Sequence, residues 1–335
     1  MTERRIGIDL GRTAVRVAEV ETHPGRPPRL LRFAEAPVEP GSVDNGVVQR
    51  QAPVVAALRR ALRASGARGK QAVLGMAGDR VYVRPLSVPP GPREQVRASL
   101  PYLVQDGLPV AAADCLLDFH PVAPNGPMLD GLLVAVPTEA VRPNVDAVEK
   151  AGLTVAGVDL AAFGLVRAAT RGHEHAVSAI VDVGADVTQI VVAEGGRPRL
   201  IRFGPVAVRA LTLELARSLG VDEAAAERLL RDAAVGRPEV EAHVRAHVER
   251  LADMVAQTIQ YHAQAGGRPV DLVLLAGRGT LVPGLGQHLA TVTRLAVSYA
   301  RVDGGFRVDG GAGAALSTSP AAACVACGLA CGGAA

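Results

Sequence analysis

One pattern occurs twice in the sequence, once at the start and once near the middle of the chain. Residues 6–10 form an apolar, β-favouring run that contains Asp9 and leads into Gly11 and a short turn. A second run, residues 176–183, contains Asp182 and leads into Gly184. After each turn another apolar run follows. A repeated unit of strand, Asp-x-Gly, turn and strand predicts two related α/β domains that face one ligand.

Each of these turns has the chemistry of a phosphate site. Glycine lets the backbone approach an anion, neighbouring N–H groups can converge on it, and a carboxylate can hold a hydrated divalent cation. Either turn alone is also compatible with an ordinary hairpin, in which Asp has no role other than to stabilise the turn. We favour the ligand site, because the purely structural explanation would have to apply twice. A third glycine turn, Gly277 to Gly284, follows an apolar strand and opens a helix, where a backbone can pass close to a nucleoside or phosphate.

Composition limits the classes of protein that this chain can represent. Its 335 residues suffice for two domains, and 49% hydrophobic with 21% charged residues can fill substantial cores. The net charge of +3 comes without a basic block that contains aromatic residues, so nucleic-acid binding is not predicted. Because the chain shows neither a secretory-signal pattern nor an apolar run of about 18 residues, we expect a cytoplasmic protein. Four cysteines fit a reducing compartment.

Periodicity predicts alternating strands and helices in five regions. Strands are expected over residues 29–36, 71–76, 82–88, 116–122, 132–136 and 199–203, and helices over 54–66, 93–105, 138–150, 158–167, 211–219, 223–233 and 240–264. Pro101 should kink or shorten the helix in which it lies, and Thr138 should cap the next one. The regions are a first domain (1–81), a small inserted α/β unit (82–157), a return helix and link (158–175), a second domain (176–311, with a helical part at about 209–248) and a closing helix (312–335).

Two patterns resemble metal sites but are better explained by helices. Cys324, Cys327 and Cys331 share one helical face in an Ala-rich stretch, where a thiol packs like alanine. His243 and His247 are spaced as two ligands on a helix, but no clear third ligand accompanies them, which favours a solvated helix edge.

A third pattern is a group of positive charges. Arg59, Arg60 and Arg63 indicate an exposed helix face rather than a lipid-binding patch, since three charges are fewer than the 4 to 8 expected of such a cluster.

Four stretches resemble the actin-like ATPase superfamily and, within it, the PilM family of type IV pilus assembly proteins, which are relatives of FtsA. They are IGIDLGRTAVRVAEV, REQVRASLPYLVQDGLPVAAADCLLDFHPV, AVEKAGLTVAGVDLAAFGLVRA and LLAGRGTLVPGL. The resemblance implies an actin-like ATPase fold: two related mixed-sheet domains around a nucleotide cleft, with the inserted small subdomain found in FtsA and PilM proteins.

The same resemblance implies a site for ATP and Mg²⁺. Asp9 and Asp182 would lie around a water-mediated Mg²⁺, and Glu227 would lie on the ribose side. The remaining nucleotide-binding residues would be Gly11, Arg12, Thr13, Gly184, Ala185 and Thr188 at the phosphates and Gly277, Gly279 and Thr280 at the adenosine.

The chain departs from the family's usual pattern at four places. Ala161 replaces an acidic residue that could position the attacking water, and Leu230 replaces a lysine. Ala207 and Val208 replace a pair of glycines, and Arg278 replaces another glycine. Phosphate binding by backbone N–H groups should tolerate these changes better than hydrolysis, so slow or absent ATP turnover is expected.

The family also implies a partner. PilM proteins bind the short cytoplasmic tail of the membrane protein PilN in a groove between the small subdomain and the first domain. Tyr82, Leu100 and Leu103 are the candidate contacts here. This predicts a protein peripheral to the inner face of the cytoplasmic membrane, held there through PilN-like and other platform proteins. Homo-oligomer formation stays open at this point.

Two alternative functions are compatible with the same fold. One is an active ATPase or small-molecule kinase, and the other is an FtsA-like filament-forming division protein. FtsA proteins end in a basic amphipathic helix, whereas this sequence ends CGLACGGAA, which disfavours an anchor of that type.

Overall fold

The computed structural model describes residues 2–104, 107–232, 237–317 and 320–332. Its strands are β1 (Glu3–Leu10), β2 (Ala14–Thr22), β3 (Arg29–Pro37), β4 (Val43–Asp44), β5 (Val47–Val48), β6 (Gln71–Met76), β7 (Tyr82–Val88), β8 (Cys115–Asn125), β9 (Met128–Pro137), β10 (Thr154–Leu160), β11 (Val177–Val183), β12 (Thr188–Glu194), β13 (Arg197–Gly204), β14 (Leu272–Ala276), β15 (Ala296–Tyr299) and β16 (Arg307–Val308).

The α-helices are α1 (Gln51–Ser65), α2 (Arg93–Leu103), α3 (Thr138–Lys150), α4 (Ala161–Ala169), α5 (Val208–Leu219), α6 (Glu223–Asp232), α7 (Pro238–Gln264), α8 (Leu285–Thr293), α9 (Gly310–Leu316) and α10 (Cys324–Ala330). Two short 3₁₀ turns cover Ala112–Asp114 and Arg278–Leu281. In the described parts of the chain, we find no helix with the length and apolar character needed to cross a bilayer.

The first domain is built on a six-stranded mixed sheet. Its strand order is β10-β6-β1-β2-β3-β16, in which β1, β2 and β3 form an antiparallel meander and β6 runs parallel to β1. One apolar core forms beneath α1 and α3, and a second forms where α4 and α10 pack against the sheet. The sheet therefore has helices on both faces, which explains why Ile6–Ile8 of β1 and most of β2 are buried.

The second domain repeats this plan. Its sheet has the order β13-β12-β11-β14-β15, with an antiparallel meander from β11 to β13 and β14 parallel to β11. Helices α5, α7 and α8 share an apolar core with this sheet. The prediction of two related mixed-sheet domains is confirmed.

The small inserted unit is a three-stranded antiparallel sheet, β7-β9-β8, with α2 packed against it. Its core is compact and contains Val88, Val96, Leu100, Phe119 and Leu133. Pro101 does not end α2, which continues to Leu103. The last predicted residue of this helix, Gln105, lies outside the described residues.

Four sequence predictions are wrong in detail. Residues 154–160 are a strand, β10, which pairs in parallel with β6, so the helix predicted from residue 158 begins at Ala161. The inserted unit, predicted to extend to residue 157, therefore ends at Pro137, because α3 packs on α1 and β10 extends the first sheet.

Strand β16 pairs with β3 and so extends the first sheet, whereas the sequence prediction places residues 307–308 in the second domain. Thr138 is the first residue of α3 and makes no capping hydrogen bond.

The closing helix α10 lies on the first domain, against β1 and α4. Its close approach depends on glycine: a Cβ on Gly7 would collide with the backbone of Ala326, and one on Gly328 would collide with that of Gly164. Cys324 and Cys327 are buried in this contact, where burial raises the pKa of the Cys324 thiol to about 12. These thiols pack as small apolar groups, as the sequence indicates.

Candidate functional site

A cavity of about 460 Å³ lies between the two domains. Three backbone turns form its polar wall: the turn after β1, the turn after β11 and the glycine turn after β14. Because β1, β11 and β14 are central strands of their sheets, these turns are held in fixed positions at one edge of each sheet.

The first two turns have the same internal geometry. Gly11 N–H donates to the carbonyl of Ala14 at 3.0 Å, and Gly184 N–H donates to that of Val187 at 3.1 Å. Each turn thus encloses two residues, Arg12 and Thr13 in the first and Ala185 and Asp186 in the second, and all four line the cavity. The repeat that the sequence shows is therefore a repeat of three-dimensional structure.

Arg16 lies directly opposite Asp9 in the β1–β2 hairpin and neutralises it. Its guanidinium donates to Asp9 at 2.8 Å and to Glu35 at 2.8 Å. Burial opposes its charge, but Asp9 and Glu35 outweigh burial and raise the pKa of Arg16. A permanent cation therefore lines the cavity wall beside the first turn.

Gln189 takes the equivalent position opposite Asp182 in the β11–β12 hairpin. Its side-chain amide donates to Asp182 at 2.5 Å. Burial raises the pKa of Asp182 to about 6, the nearby Asp9 adds to the rise, and the Gln189 hydrogen bond opposes it. Asp9 has a cation in direct contact, whereas Asp182 has only an amide. A cation in the cavity would therefore stabilise the negative charge of Asp182 more than that of Asp9.

Arg12 joins the two domains at the turns after β1 and β11. Its guanidinium is 3.0 Å from Asp44 in the first domain, 3.5 Å from Asp186 in the second and 3.5 Å from Glu223 on α6. Arg209 on α5 donates to Glu223 at 2.9 Å. Since these charges come from both sides of the cleft, they hold its sides together.

The glycine turn fits against the second hairpin. Gly277 has φ +80°, and a Cβ there would collide with the Asp182 carboxylate. A Cβ on Gly279 would collide with Val183. Arg278, between them, reaches across the cleft and donates to Glu35 at 2.8 Å. Glycine is therefore required at 277 and 279, whereas residue 278 is free to carry a side chain.

The opposite end of the cavity is apolar. Its wall comes from the helices α5, α6 and α7 and from the segment after the glycine turn, through Leu211, Leu230, Val244, Val282 and Pro283. Glu227 lies on the same wall. One end of the cavity thus suits a charged group and the other an apolar ring.

The structure brings most of the predicted site residues to this cavity. On its wall are Asp9, Gly11, Arg12, Thr13, Asp182, Gly184, Ala185, Glu227, Gly277 and Gly279, together with Ala161. Thr188 and Thr280 are not on the wall, because their hydroxyls donate inward, to the carbonyls of Val206 at 2.7 Å and Gly277 at 2.8 Å.

Sequence reasoning missed three charged or polar residues of the wall, Arg16, Asp186 and Gln189. Arg16 and Gln189 had a signal in the repeat, because a two-residue turn after Asp-x-Gly pairs the Asp with the residue seven positions later. Asp186 had no such signal.

Mg²⁺ fits this site only through water. Within the described ranges, no three His, Cys, Asp or Glu side chains are grouped to enclose a metal ion. Asp9 and Asp182 do line the same cavity, and each disfavours the other's negative charge. A hydrated Mg²⁺ held by both carboxylates would relieve this repulsion and, when bound with phosphates, would neutralise their charge.

The histidine pair on α7 is not at this cavity. His247 is fully buried, so the expectation of a solvated helix edge is wrong for this residue. Neither of its ring nitrogens has a hydrogen-bond partner within the described structure. Burial, together with the nearby positive charge of Arg250, lowers the pKa of His247 to about 4.

The candidate partner contacts lie on the small unit and differ in exposure. Leu103 is 44% exposed and Tyr82 is half-buried. Leu100 is fully buried in the core of the unit and offers no surface. Its neighbour Tyr102 is 77% exposed, and Leu116 at the start of β8 is 49% exposed.

Comparison with known proteins gives one family. Residues 7–333 match the family model described as type IV pilus assembly protein PilM. The match covers both domains, the small unit and α10.

Solved structures show the same fold. The chain in the PilM-PilN type IV pilus biogenesis complex is 23% identical, with a TM-score of 0.85, and the similarity covers 98% of this chain and 97% of that one. The ethanolamine utilization protein EutJ from Carboxydothermus hydrogenoformans is 17% identical, with a TM-score of 0.59 over 99% and 90% of the two chains. MreB5 of Spiroplasma citri bound to AMPPNP is 10% identical, with a TM-score of 0.56 over 97% and 94%. The predicted actin-like ATPase fold is thereby confirmed.

Proposed function

The chain belongs to the type IV pilus assembly protein PilM family, and from this we propose that it is a nucleotide-binding scaffold of a pilus assembly platform. In this role it binds ATP with Mg²⁺ in the cleft and the cytoplasmic tail of a PilN-like membrane protein on the small unit. The observation that carries the nucleotide part is the convergence of two Asp-x-Gly turns and a glycine turn on one cavity.

The chemistry of the cavity supports a nucleotide as ligand. Backbone N–H groups of the two turns and the cations Arg12 and Arg16 lie at its polar end and suit phosphates. Leu211, Leu230 and Val282 lie at the other end and suit a base. The volume of about 460 Å³ falls in the range of small-molecule sites.

The same wall argues against efficient hydrolysis. The family's usual acidic residue is replaced by Ala161, which lies on the cavity wall and has no group that can orient or deprotonate water. The side-chain Nε2 of Gln189 is engaged by its hydrogen bond of 2.5 Å to Asp182. We therefore propose a site that retains its nucleotide and turns it over slowly or not at all.

Calorimetric titration with MgATP tests the nucleotide site. Leu230→Trp places a bulky ring in the apolar end without touching a polar group, and we expect at least a tenfold loss of affinity. Val221→Trp is the control, since Val221 is 36% exposed and lies outside the cavity. Equal affinity for the two variants, or no binding by the wild-type protein, would disprove a nucleotide in this cavity.

The exposed apolar side chains of the small unit support a peptide-binding surface there. Tyr102, Leu103 and Leu116 belong to the large hydrophobic residues that the structure leaves exposed. Exposed apolar groups on so small a unit are typical of interaction sites. We propose that Tyr82, Tyr102 and Leu103 contact the tail. Leu100 contributes only by packing in the core of the small unit.

Capture of a synthetic PilN-like tail peptide tests this surface. We expect Leu103→Asp to abolish capture, and Tyr261→Asp, at a 53% exposed residue of α7, to leave it unchanged. Leu100→Asp would be uninformative, because a carboxylate in the core of the small unit would unfold it. Undiminished capture by Leu103→Asp would exclude this surface.

A further inference from the structure

The outer surface of the first domain carries a concentration of positive charge. The sequence has no Asp or Glu between Asp44 and Asp79, a region that includes α1 and the loop after it. Six exposed cations lie on α1, on this loop and at the end of α3: Arg59, Arg60, Arg63, Arg68, Lys70 and Lys150. We call them the basic face.

Contacts join the segments that carry the basic face. Arg59 donates to the carbonyl of Lys150 at 2.6 Å, which joins α1 to the end of α3. The N–H of Thr154, just beyond α3, donates to the carbonyl of Lys70 at 2.8 Å. The loop between α1 and β6 is fixed because the buried Glu19 carboxylate accepts the N–H of Gly69 at 2.7 Å.

The charges of the basic face are not neutralised within the molecule. The ion pairs found among the described residues include none of the six. Arg50, which precedes α1, is paired with Glu39, and Glu19 is 3.5 Å from Arg4. Glu149 is the exposed carboxylate beside Lys150 and leaves an excess of five positive charges (6 − 1). Since the whole chain has a net charge of only +3, the rest of the molecule is net negative.

The structure changes the interpretation of the arginines on α1 as no more than an exposed helix face. The sequence suggested three charges on one helix face, too few for a lipid-binding cluster. The fold adds Arg68, Lys70 and Lys150 and brings the number to six, within the 4 to 8 cations typical of surfaces that bind anionic lipid.

The composition of the basic face favours a membrane over a protein as its partner. Stable protein interfaces are built around buried aromatic or apolar residues. None of the large exposed hydrophobic residues that the structure describes lies on α1 or its following loop. Long side chains with mobile charged ends suit a fluid, laterally adaptable surface of anionic headgroups.

We propose that the basic face binds the anionic phospholipids of a membrane surface. Binding is electrostatic, reversible and weakened by salt, and it places α1 along the headgroups. It adds a direct lipid contact to the attachment through a PilN-like partner and does not depend on that attachment, on nucleotide or on the small unit.

Co-sedimentation of the full chain with lipid vesicles tests the proposal. The probes are vesicles of 30% phosphatidylglycerol in phosphatidylcholine and vesicles of phosphatidylcholine alone, at 50 and 300 mM NaCl. The test variant combines Arg59→Glu, Arg63→Glu and Arg68→Glu. The matched control combines Arg26→Glu, Arg228→Glu and Arg245→Glu, which changes the net charge equally at exposed arginines elsewhere.

We expect wild type and control to sediment with anionic vesicles at 50 mM NaCl, and the test variant to lose at least tenfold in partitioning. Salt at 300 mM should cause a similar loss, and neutral vesicles should bind none of the proteins. Equal loss in test variant and control would overturn the proposal, as would binding to neutral vesicles.

Two further measurements keep the result interpretable. If the triple variant fails to fold by circular dichroism, Arg63→Gln with Lys70→Gln replaces it, with the same expected direction. Soluble polyglutamate is titrated in parallel: binding to polyglutamate without binding to anionic vesicles would show that an acidic protein is the partner and overturn the membrane proposal. Failure of the wild-type protein to capture the tail peptide, while it still binds anionic vesicles, would count against the pilus role alone.

Discussion

Gln189 donates a hydrogen bond of 2.5 Å to the Asp182 carboxylate from the directly opposing position of the neighbouring strand. In the first hairpin the same position is filled by Arg16, which supplies Asp9 with a full positive charge. An amide compensates a buried carboxylate less well than a guanidinium does. The two aspartates of the cleft therefore differ in their need for an external cation.

The first prediction concerns the stability of the metal-free protein. Burial raises the pKa of Asp182 from 3.8 to about 6, so the folded state binds the proton more tightly than the unfolded state. Stability due to this group is present at low pH and falls as pH rises from about 4 to 6, by about 3 kcal/mol. Asp182→Asn should therefore be more stable than wild type at pH 7.5, and equally stable near pH 4.

Urea unfolding in EDTA across this pH range measures the difference. Asp253→Asn, at an exposed residue of α7, is the control and should match wild type within about 0.5 kcal/mol throughout. A lower stability of Asp182→Asn at pH 7.5 would contradict the prediction.

The second prediction concerns His247, which is fully buried without a hydrogen-bond partner in the described structure. Burial lowers its pKa from 6.5 to about 4, so the unfolded state binds the proton first. The contribution of neutral His247 to the free energy of unfolding is fully present above pH 6.5. About 3 kcal/mol of it is lost as the pH falls from 6.5 toward 4. In His247→Leu the free energy of unfolding should fall less steeply with decreasing pH over this range. Urea unfolding at each pH measures it.

His243→Leu is the matched control, because His243 lies one turn away on the same helix and is partly exposed. We expect it to retain the wild-type slope. Identical slopes for all three proteins would show that His247 has the same pKa in the folded and unfolded states.

Sequence reasoning recovered those parts of the site that depend on short segments. The Asp-x-Gly turns and the glycine turn are local patterns, and each lies on the cavity wall as expected. Strand β10 was missed because residues 154–169 are mostly apolar and β10 leads directly into α4. Strand and helix are therefore indistinguishable in the sequence until pairing with β6 selects the strand. Charge pairs such as Arg278 with Glu35 join residues far apart in sequence, and only the tertiary structure brings them together.

The third prediction concerns ATP turnover. With Ala161 on the cavity wall in place of an acidic residue, release of phosphate under saturating MgATP should stay below about 1 per minute, against about 10 per second for a typical enzyme. Binding is measured on the same sample by calorimetry, so that low turnover is not confused with an empty site. A sustained rate well above this limit would show that another group activates water.

The fourth prediction concerns the ion pair between Arg278 and Glu35, which spans the two domains at 2.8 Å. Arg278 is half exposed, so the pair contributes at most about 1 kcal/mol and is screened by salt. Arg278→Gln should speed release of a fluorescent ATP analogue up to about fivefold at 50 mM NaCl and have little effect at 500 mM.

Arg301→Gln is the control, since Arg301 pairs with Asp303 on the surface of the same part of the chain. Its release rate should equal that of wild type at both salt concentrations. A salt-independent effect of Arg278→Gln would show that the side chain contacts the nucleotide itself.

The last prediction concerns Arg12 and its neighbours. Asp44, Asp186 and Glu223 lie within 3.5 Å of its guanidinium, and burial raises the pKa of Asp186 despite Arg12. Arg12→Gln would leave Asp44, Asp186 and Glu223 with Arg209 but without Arg12, which should cost about 1–3 kcal/mol of stability. Asp186→Asn added to Arg12→Gln should recover part of this loss, because it removes the most buried of the three charges. A double-mutant cycle by urea unfolding measures the coupling, and additive effects of the two changes would show that Arg12 and Asp186 do not interact across the cleft.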